Sequence, residues 1–298
     1  MSFTIDATAC GVEAGDRHAP LIQVRALKAG YGERIILQNV DLDVFPGEVL
    51  ILLGGSGCGK STLLKQMIGL EQPLSGSVLI NDRDVHAARG AERTRILHGF
   101  GVSYQTGALF GSLSVLDNVL LPLEECTDLP KPLRLRVARM KLAQVGLAGF
   151  EDHAPSELSG GMVKRAAIAR AMVLDPCVLF LDEPSAGLDP VTSAELDALI
   201  LDLARSLGMT FVIVTHELAS VFAIADRVIM LDKSRQGIVA QGDPRTLRDH
   251  STDPMVHDFF HRHVSGRGKG EIPEPLNREP LNPEPLNSEA LNPEPLSP

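Results

Sequence analysis

The stretch Gly54-Gly55-Ser56-Gly57-Cys58-Gly59-Lys60-Ser61-Thr62 constrains this chain more than any other. It fits the pattern G-x-x-x-x-G-K-[ST], with Gly54, Gly59, Lys60 and Ser61 in the fixed places. Val49-Leu50-Ile51-Leu52-Leu53 precede it, an unbroken apolar run that predicts a strand buried on both faces. Residues 63–68 follow and predict a helix. Glycines in a strand-to-helix turn allow backbone N–H groups to converge as an anion nest. The helix N-terminus adds its positive end. Lys60 then reaches β- and γ-phosphates, and Ser61 offers a hydroxyl to Mg²⁺. The loop predicts phosphate binding without saying what the binding drives.

A second signal lies downstream. Val178-Leu179-Phe180-Leu181 reads as a buried strand, and it ends in Asp182-Glu183. Charges at the end of such a strand are costly unless a partner offsets them. Asp182 is placed to hold Mg²⁺, directly or through water, and Glu183 to orient and deprotonate an attacking water. Two further strands end in polar residues: the run from Phe100 ends at Gln105, and Phe211-Val212-Ile213-Val214 ends at Thr215-His216. In an open α/β sheet such strand ends share the ligand edge. Either residue alone would be unremarkable, and it is their convergence with Glu183 that singles them out. Leu158-Ser159-Gly160-Gly161-Met162 opens a helical run predicted over residues 163–174. Ser159 suits an N-cap, and the glycine pair leaves N–H groups free to bind a second anion.

The remaining segments are less specific. Residues 21–27 and 40–44 alternate and predict an antiparallel start, with a turn at Ala29-Gly30-Tyr31-Gly32. Tyr31 suits either stacking on a base or packing on its own hairpin. Leu109 and Phe110 fall in a predicted loop, as a satellite core or a docking surface. A short helix is predicted over 116–121, broken at Pro122, and another over 133–145. Leu196, Leu199, Ile200, Leu203 and Leu207 form a one-sided helical stripe and predict core.

Net charge is −10, and from Glu271 onward six Glu stand against one Arg. An acidic body argues against nucleic acid, which needs clustered Lys and Arg. The cysteines Cys10, Cys58, Cys126 and Cys177 show no paired spacing and read as reduced thiols, with Cys58 expected to gain thiolate character from Lys60 and the helix end. No apolar stretch has bilayer-spanning length and the first thirty residues lack a signal-peptide core, so a membrane role is expected through a partner. Residues 274–298 are five units, EPLNR, EPLNP, EPLNS, EALNP and EPLSP, and predict a disordered tail.

Taken together, Tyr31, the 54–62 loop, Gln105, the 158–162 stretch, Leu179 to Glu183, Ser185 to Asp189 and His216 resemble, in order, the ATP-binding cassette (ABC) ATPase subunits. Tyr104-Gln105-Thr106-Gly107-Ala108-Leu109-Phe110, the Leu113 to Val119 stretch and Met162 further resemble the ATPases of Mla-type, MCE-associated phospholipid transporters of bacterial envelopes. The resemblance implies an α/β P-loop ATPase fold with a mixed core sheet, an antiparallel β subdomain and a helical signature subdomain at about 106–175. It covers a cassette over 20–245; residues 1–19 read as a loose leader, 246–270 as a C-terminal helical extension, and 271–298 as a disordered repeat tail for which the family offers no counterpart. ATP and Mg²⁺ are the implied ligands. Tyr31 would stack on adenine, and Gly54, Gly55, Ser56, Gly57, Cys58, Gly59, Lys60, Ser61 and Thr62 would hold the phosphates. Ser61, Gln105 and Asp182 would serve the metal, with Gln105 also sensing the γ-phosphate, and Glu183 and His216 would be catalytic. Ser159, Gly160, Gly161 and Met162 would act in trans, and Asp189 would organise the interface of a homodimer. The implied partners are membrane permease subunits, docked at Leu109 and Phe110, and an MCE-domain substrate-binding protein. The implied location is peripheral, on the cytoplasmic face of the inner membrane.

A transporter with another cargo fits the same motifs. A soluble ABC protein acting on nucleic acid or ribosomes carries a long internal coiled coil or two cassettes. Here only 53 residues separate Gln105 from Ser159, and there is one cassette.

Overall fold

Strands buried on both faces organise the fold. The computed structural model describes residues 19–261. A hairpin of β1 (Ile22–Tyr31) and β2 (Arg34–Val44) leads to β3 (Val49–Leu53), the glycine-rich loop and α1 (Lys60–Met67). β4 (Ser75–Ile80), β5 (Arg83–Asp84) and α2 (Gly90–His98) precede β6 (Phe100–Ser103). Three helices follow: α3 (Val115–Cys126), α4 (Lys131–Gln144) and α5 (Gly160–Ala171). The chain returns through β7 (Val178–Asp182), α6 (Pro190–Leu207), β8 (Thr210–Val214), α7 (Leu218–Ile224), β9 (Arg227–Asp232) and β10 (Gly237–Gly242). It then reaches α8 (Pro244–His250) and α9 (Pro254–His261).

One sheet is antiparallel, in the order β2-β1-β4-β5. The other has the order β10-β9-β3-β8-β7-β6, parallel except for the β9–β10 pair. This is the mixed core sheet with an antiparallel companion and a helical insertion that the motifs predict. The apolar runs now have a cause. Val49, Ile51 and Leu53 enter one core with α3, α4, α5 and α6, while Leu50 and Leu52 enter a second core with β1, β2, β4 and α1. β7 and β8 divide the same way, Leu179, Leu181, Phe211 and Ile213 against Val178, Phe180, Val212 and Val214. With both faces buried there is no polar face to alternate with. Each such side chain contributes roughly 1.5–3 kcal/mol of burial.

Several boundaries differ from expectation. β1 continues through Tyr31, and the turn is Gly32-Glu33, because Tyr31 pairs with Arg34 and Gly30 with Ile35. A Cβ at Gly30 would overlap the Arg34 carbonyl, so the pairing depends on its absence. α1 starts at Lys60, where the helix N-terminus is expected, whereas α5 begins three residues early, at Gly160, and stops at Ala171. Gly59, at φ 106°, starts α1 without a side-chain cap, whereas Ser159 caps α5 by accepting from the Met162 N–H at 3.3 Å. Pro122 does not break α3 but lies inside it. It lacks only the N–H that would reach Asn118, and Val119, Leu120 and Leu123 hold that helix in the core. The cassette end expected at 245 falls within α8. The leader up to residue 18, residues 262–270 of the extension and the repeat tail lie outside the described residues.

Candidate functional site

The carboxyl ends of β3, β6, β7 and β8 lie at one edge of the parallel sheet. Each is followed by residues that the sequence singles out. Together they line an open cavity of about 710 Å³: Gly54, Gly55, Ser56, Gly57, Lys60 and Ser61 after β3, Gln105 after β6, Asp182 and Glu183 at the end of β7, and His216 after β8. Residues as far apart in sequence as Gly54 and His216 thus become neighbours through strand order alone.

Close packing shapes the glycine-rich loop. Gly54, at φ 144°, lies where a Cβ would overlap the Leu231 carbonyl and sit 2.7 Å from the Cys58 sulfur. Gly59 has Leu37 Cδ2 2.7 Å from the same position. The two ends of the loop are therefore pinned, Gly54 against β9 and Gly59 against β2, while a Cβ at Gly55 or Gly57 would meet nothing within 4 Å, and Lys60 and Ser61 of the first turn of α1 line the cavity. Lys60 Nζ donates to the carbonyls of Gly54 (2.7 Å) and Gly55 (3.1 Å), which holds the ammonium over the loop. Thr62 is buried on α1 and Cys58 is 2 % exposed, and neither lines the cavity. The enhanced thiolate character expected of Cys58 is overturned. Burial pushes its thiol up, and the Lys60 charge opposes this without prevailing. Cys177 also departs from the reduced-thiol reading, because it is disulfide-bonded.

Glu183 is held in the left-handed region at φ 47°, with its N–H donating to the Val214 carbonyl at 2.8 Å. The carboxylate meets His216 Nδ1 at 2.8 and 2.9 Å, so acid and imidazole form one unit. Glu183 is largely buried while His216 projects into solvent, with 70 % of its side chain exposed. Beside them, burial raises the Asp182 carboxyl above its usual range and neighbouring Glu183 adds to this, while Lys60, Lys65 and Lys164 oppose it. A poorly solvated carboxylate next to a second one is a position that a cation relieves. The hydroxyl, amide and carboxylate oxygens of Ser61, Gln105 and Asp182 are donors suited to Mg²⁺. Among the described residues no group of three or more His, Cys, Asp or Glu side chains could hold a metal ion by itself.

Other expected site residues lie elsewhere. Tyr31 does not line the cavity; its hydroxyl donates to Glu71 at 2.8 Å and its ring is half-exposed. Ser159, Gly160, Gly161 and Met162 are also outside the cavity, at the start of α5. A Cβ at Gly161 would overlap Thr192, so α5 and the start of α6 touch there. Asp189 caps α6, accepting from the N–H groups of Val191 and Thr192 at 3.0 and 3.1 Å and from the Thr192 hydroxyl at 2.6 Å. Leu109 is partly buried and Phe110 is 52 % exposed. Asn118, fully buried, holds Phe110 by both its N–H (2.8 Å) and its carbonyl (3.1 Å). The sequence reading missed Asn118, Lys164, Leu218 and Phe259, the last two of which line the cavity. Lys164 had a legible signal, since it stands one helical turn and two turns before the small inward residues Ala167 and Ala171.

Residues 37–186 match the protein-family model described as ABC transporter. The chain is 41% identical over 261 residues to a probable ribonucleotide transport ATP-binding protein, mkl, of Mycobacterium leprae, covering 87% of this chain and 73% of that one. It is 39% identical over 256 residues to the intermembrane phospholipid transport system ATP-binding protein MlaF of Escherichia coli, covering 86% of this chain and 92% of that one. Among solved structures it resembles the dimeric post-hydrolysis state of the ATP-binding cassette MJ0796 bound to ADP and Pi, with a TM-score of 0.65, 29% identity, and coverage of 74% of this chain and 98% of that one.

Proposed function

The chain belongs to the ABC transporter ATP-binding family, and from that premise we propose that it hydrolyses ATP to drive phospholipid movement through a membrane complex of the Mla type. One observation carries the hydrolytic reading: the phosphate loop, Gln105, Asp182 and the Glu183–His216 pair converge on one cavity. In this reading the loop N–H groups and Lys60 bind the triphosphate, and Ser61, Gln105 and Asp182 hold the metal. Bound Mg²⁺ would neutralise developing charge on the transferred phosphoryl group. Glu183 accepts the proton of the attacking water, and His216, hydrogen-bonded to that carboxylate, keeps it aimed.

Ser159, Gly160 and Gly161 lie outside the cavity of their own chain, which supports a role on the nucleotide of a second copy, with Asp189 at the interface. The exposed Phe110, braced by the buried Asn118, is the surface proposed for a permease helix. An MCE-domain protein is the proposed substrate-binding partner, and the complex is placed at the inner membrane. Among the described residues no helix is long and apolar enough to cross it. The phospholipid cargo is favoured over the ribonucleotide of the mkl name by coverage: this chain spans 92% of MlaF against 73% of mkl.

The test has two arms. Steady-state hydrolysis by the full chain is compared with Glu183→Gln. The expected result is a loss of turnover of roughly 10²-fold or more with ATP affinity retained and a stable ATP-bound dimer. Unchanged turnover removes Glu183 as the base. The complex purified with its membrane partners is then given labelled phospholipid or labelled ribonucleotide in proteoliposomes. ATP-dependent movement of the ribonucleotide alone rejects the lipid reading.

A further inference from the structure

Burying a cation is unfavourable unless its surroundings compensate it. Lys164 on α5 is only 7 % exposed, and nothing in the nucleotide-site reading uses it. Its ammonium donates to the backbone carbonyl of Gln105. Six residues on, Arg170 donates to the carbonyls of Gly107 (2.9 Å) and Ala108 (2.8 Å). Between these two anchors the loop lies directly on the helix. A Cβ at Gly107, φ 75°, would stand 3.0 Å from Val163 Cγ1 and 3.5 Å from Ala167 Cβ. Val163, Lys164, Ala167 and Arg170 follow the i, i+1, i+4, i+7 face of one helix, and that whole face is given to the 105–108 loop.

Two more facts set Lys164 apart from Arg170. Burial disfavours its charged form, while the carboxylates of Glu183 and Asp182 favour it, so the ammonium feels the acidic end of β7. The helix that carries it begins at the Ser159-capped Gly160-Gly161 turn. One element of twelve residues therefore holds the 105–108 loop, with the signature turn at its N-terminal end.

We propose that Lys164 is a positioning residue that ties the signature helix to the backbone of Gln105 of the same chain, so that engagement of the signature turn resets Gln105 within the cavity it shares with Glu183. The inference rests on the ATPase reading and adds a coupling within one cassette to it. Lys164 needs no contact with nucleotide for this. It holds the Gln105 carbonyl, and through it the start of the 105–108 loop.

The experiment uses the full chain in three forms: wild type, Lys164→Met, which keeps the stem and removes the ammonium, and Lys164→Arg, which restores a cationic donor. Hydrogen exchange is followed in the nucleotide-free protein at the Gly107 amide, which donates to Tyr104 O at 2.7 Å, and at the Phe110 amide, bonded to Asn118. Lys164→Met should speed exchange at both by about tenfold or more while the amides of β3 and α1 stay as in wild type. In hydrolysis it should lower kcat by roughly 10- to 100-fold with KM within about twofold, and Lys164→Arg should recover both readouts. The proposal is overturned by unchanged exchange at Gly107 and Phe110, by acceleration spread evenly over the core, by an unchanged kcat, or by a rise in KM alone. If wild type itself fails to hydrolyse ATP, the ATPase reading falls, while the exchange arm still decides whether Lys164 holds the loop.

Discussion

Asp197 offers a worked test of how the helices behind the site are held. It lies on α6, which Asp189 caps, and it faces α7, which follows His216. Its side chain is 7 % exposed. Burial pushes its carboxyl from 3.8 up to about 6; the Ser220 hydroxyl restrains the rise and Glu217 adds to it. A carboxyl whose folded value is raised binds its proton more tightly in the native state. Stability is therefore lost as pH rises from the unfolded value through the folded one, and the full cost is present above about 6. A shift of about two units corresponds to roughly 3 kcal/mol at pH 8 and about 1 kcal/mol at pH 4.5. Asp197→Asn removes the charge and keeps the shape. Thermal unfolding should show the variant more stable at pH 8 by roughly 6–12 °C for a domain of this size, with the gap narrowing to about a third by pH 4.5. Parallel curves for the two proteins across that range, or a variant less stable at pH 8, would refute burial as the cause.

Two other outcomes bear on the surface and the loop. Asn118→Ala leaves the Phe110 N–H without its partner and removes one of the two donors to the Phe110 carbonyl, which keeps the Leu113 N–H at 3.1 Å; a loss of roughly 1–3 kcal/mol is expected, with recovery of the membrane partner in pull-downs falling while ATP binding persists. A melting temperature within 2 °C of wild type, about the shift of a 1 kcal/mol change, would count against that bracing role. Cys58, buried and with a raised thiol, should react with iodoacetamide more slowly than the less buried Cys126, and Mg-ATP should change neither order. Faster labelling at Cys58, timed by peptide mass spectrometry, would restore the activated-thiol expectation that burial overturned.

The features legible in the chain are those whose cause is local or periodic. The 54–62 loop needs a strand before it and a helix after it, and all three are contiguous. β3, β7 and β8 are legible because burial on both faces leaves apolar runs of four or five residues with no alternation. Asp182, Glu183 and His216 stand out because polar residues end such runs. Their meeting was not local. Gln105, Glu183 and His216 share a cavity only because parallel pairing aligns the ends of β6, β7 and β8.

Where physics acts across the fold, the sequence was silent or pointed the wrong way. Proximity to Lys60 in the chain suggested an activated Cys58, but packing buried the sulfur and desolvation outweighed the charge. Tyr31 is anchored by Glu71, 40 residues away, and Lys164 by the carbonyl of Gln105, 59 residues away. Pro122 looked like a helix end until the core around α3 outweighed one missing hydrogen bond. The sequence alone determined that this chain binds phosphate at a strand-to-helix loop beside acidic strand ends. Tertiary structure decided which side chains lose water and which meet, because desolvation and strand order are properties of the packed chain and not of neighbouring residues.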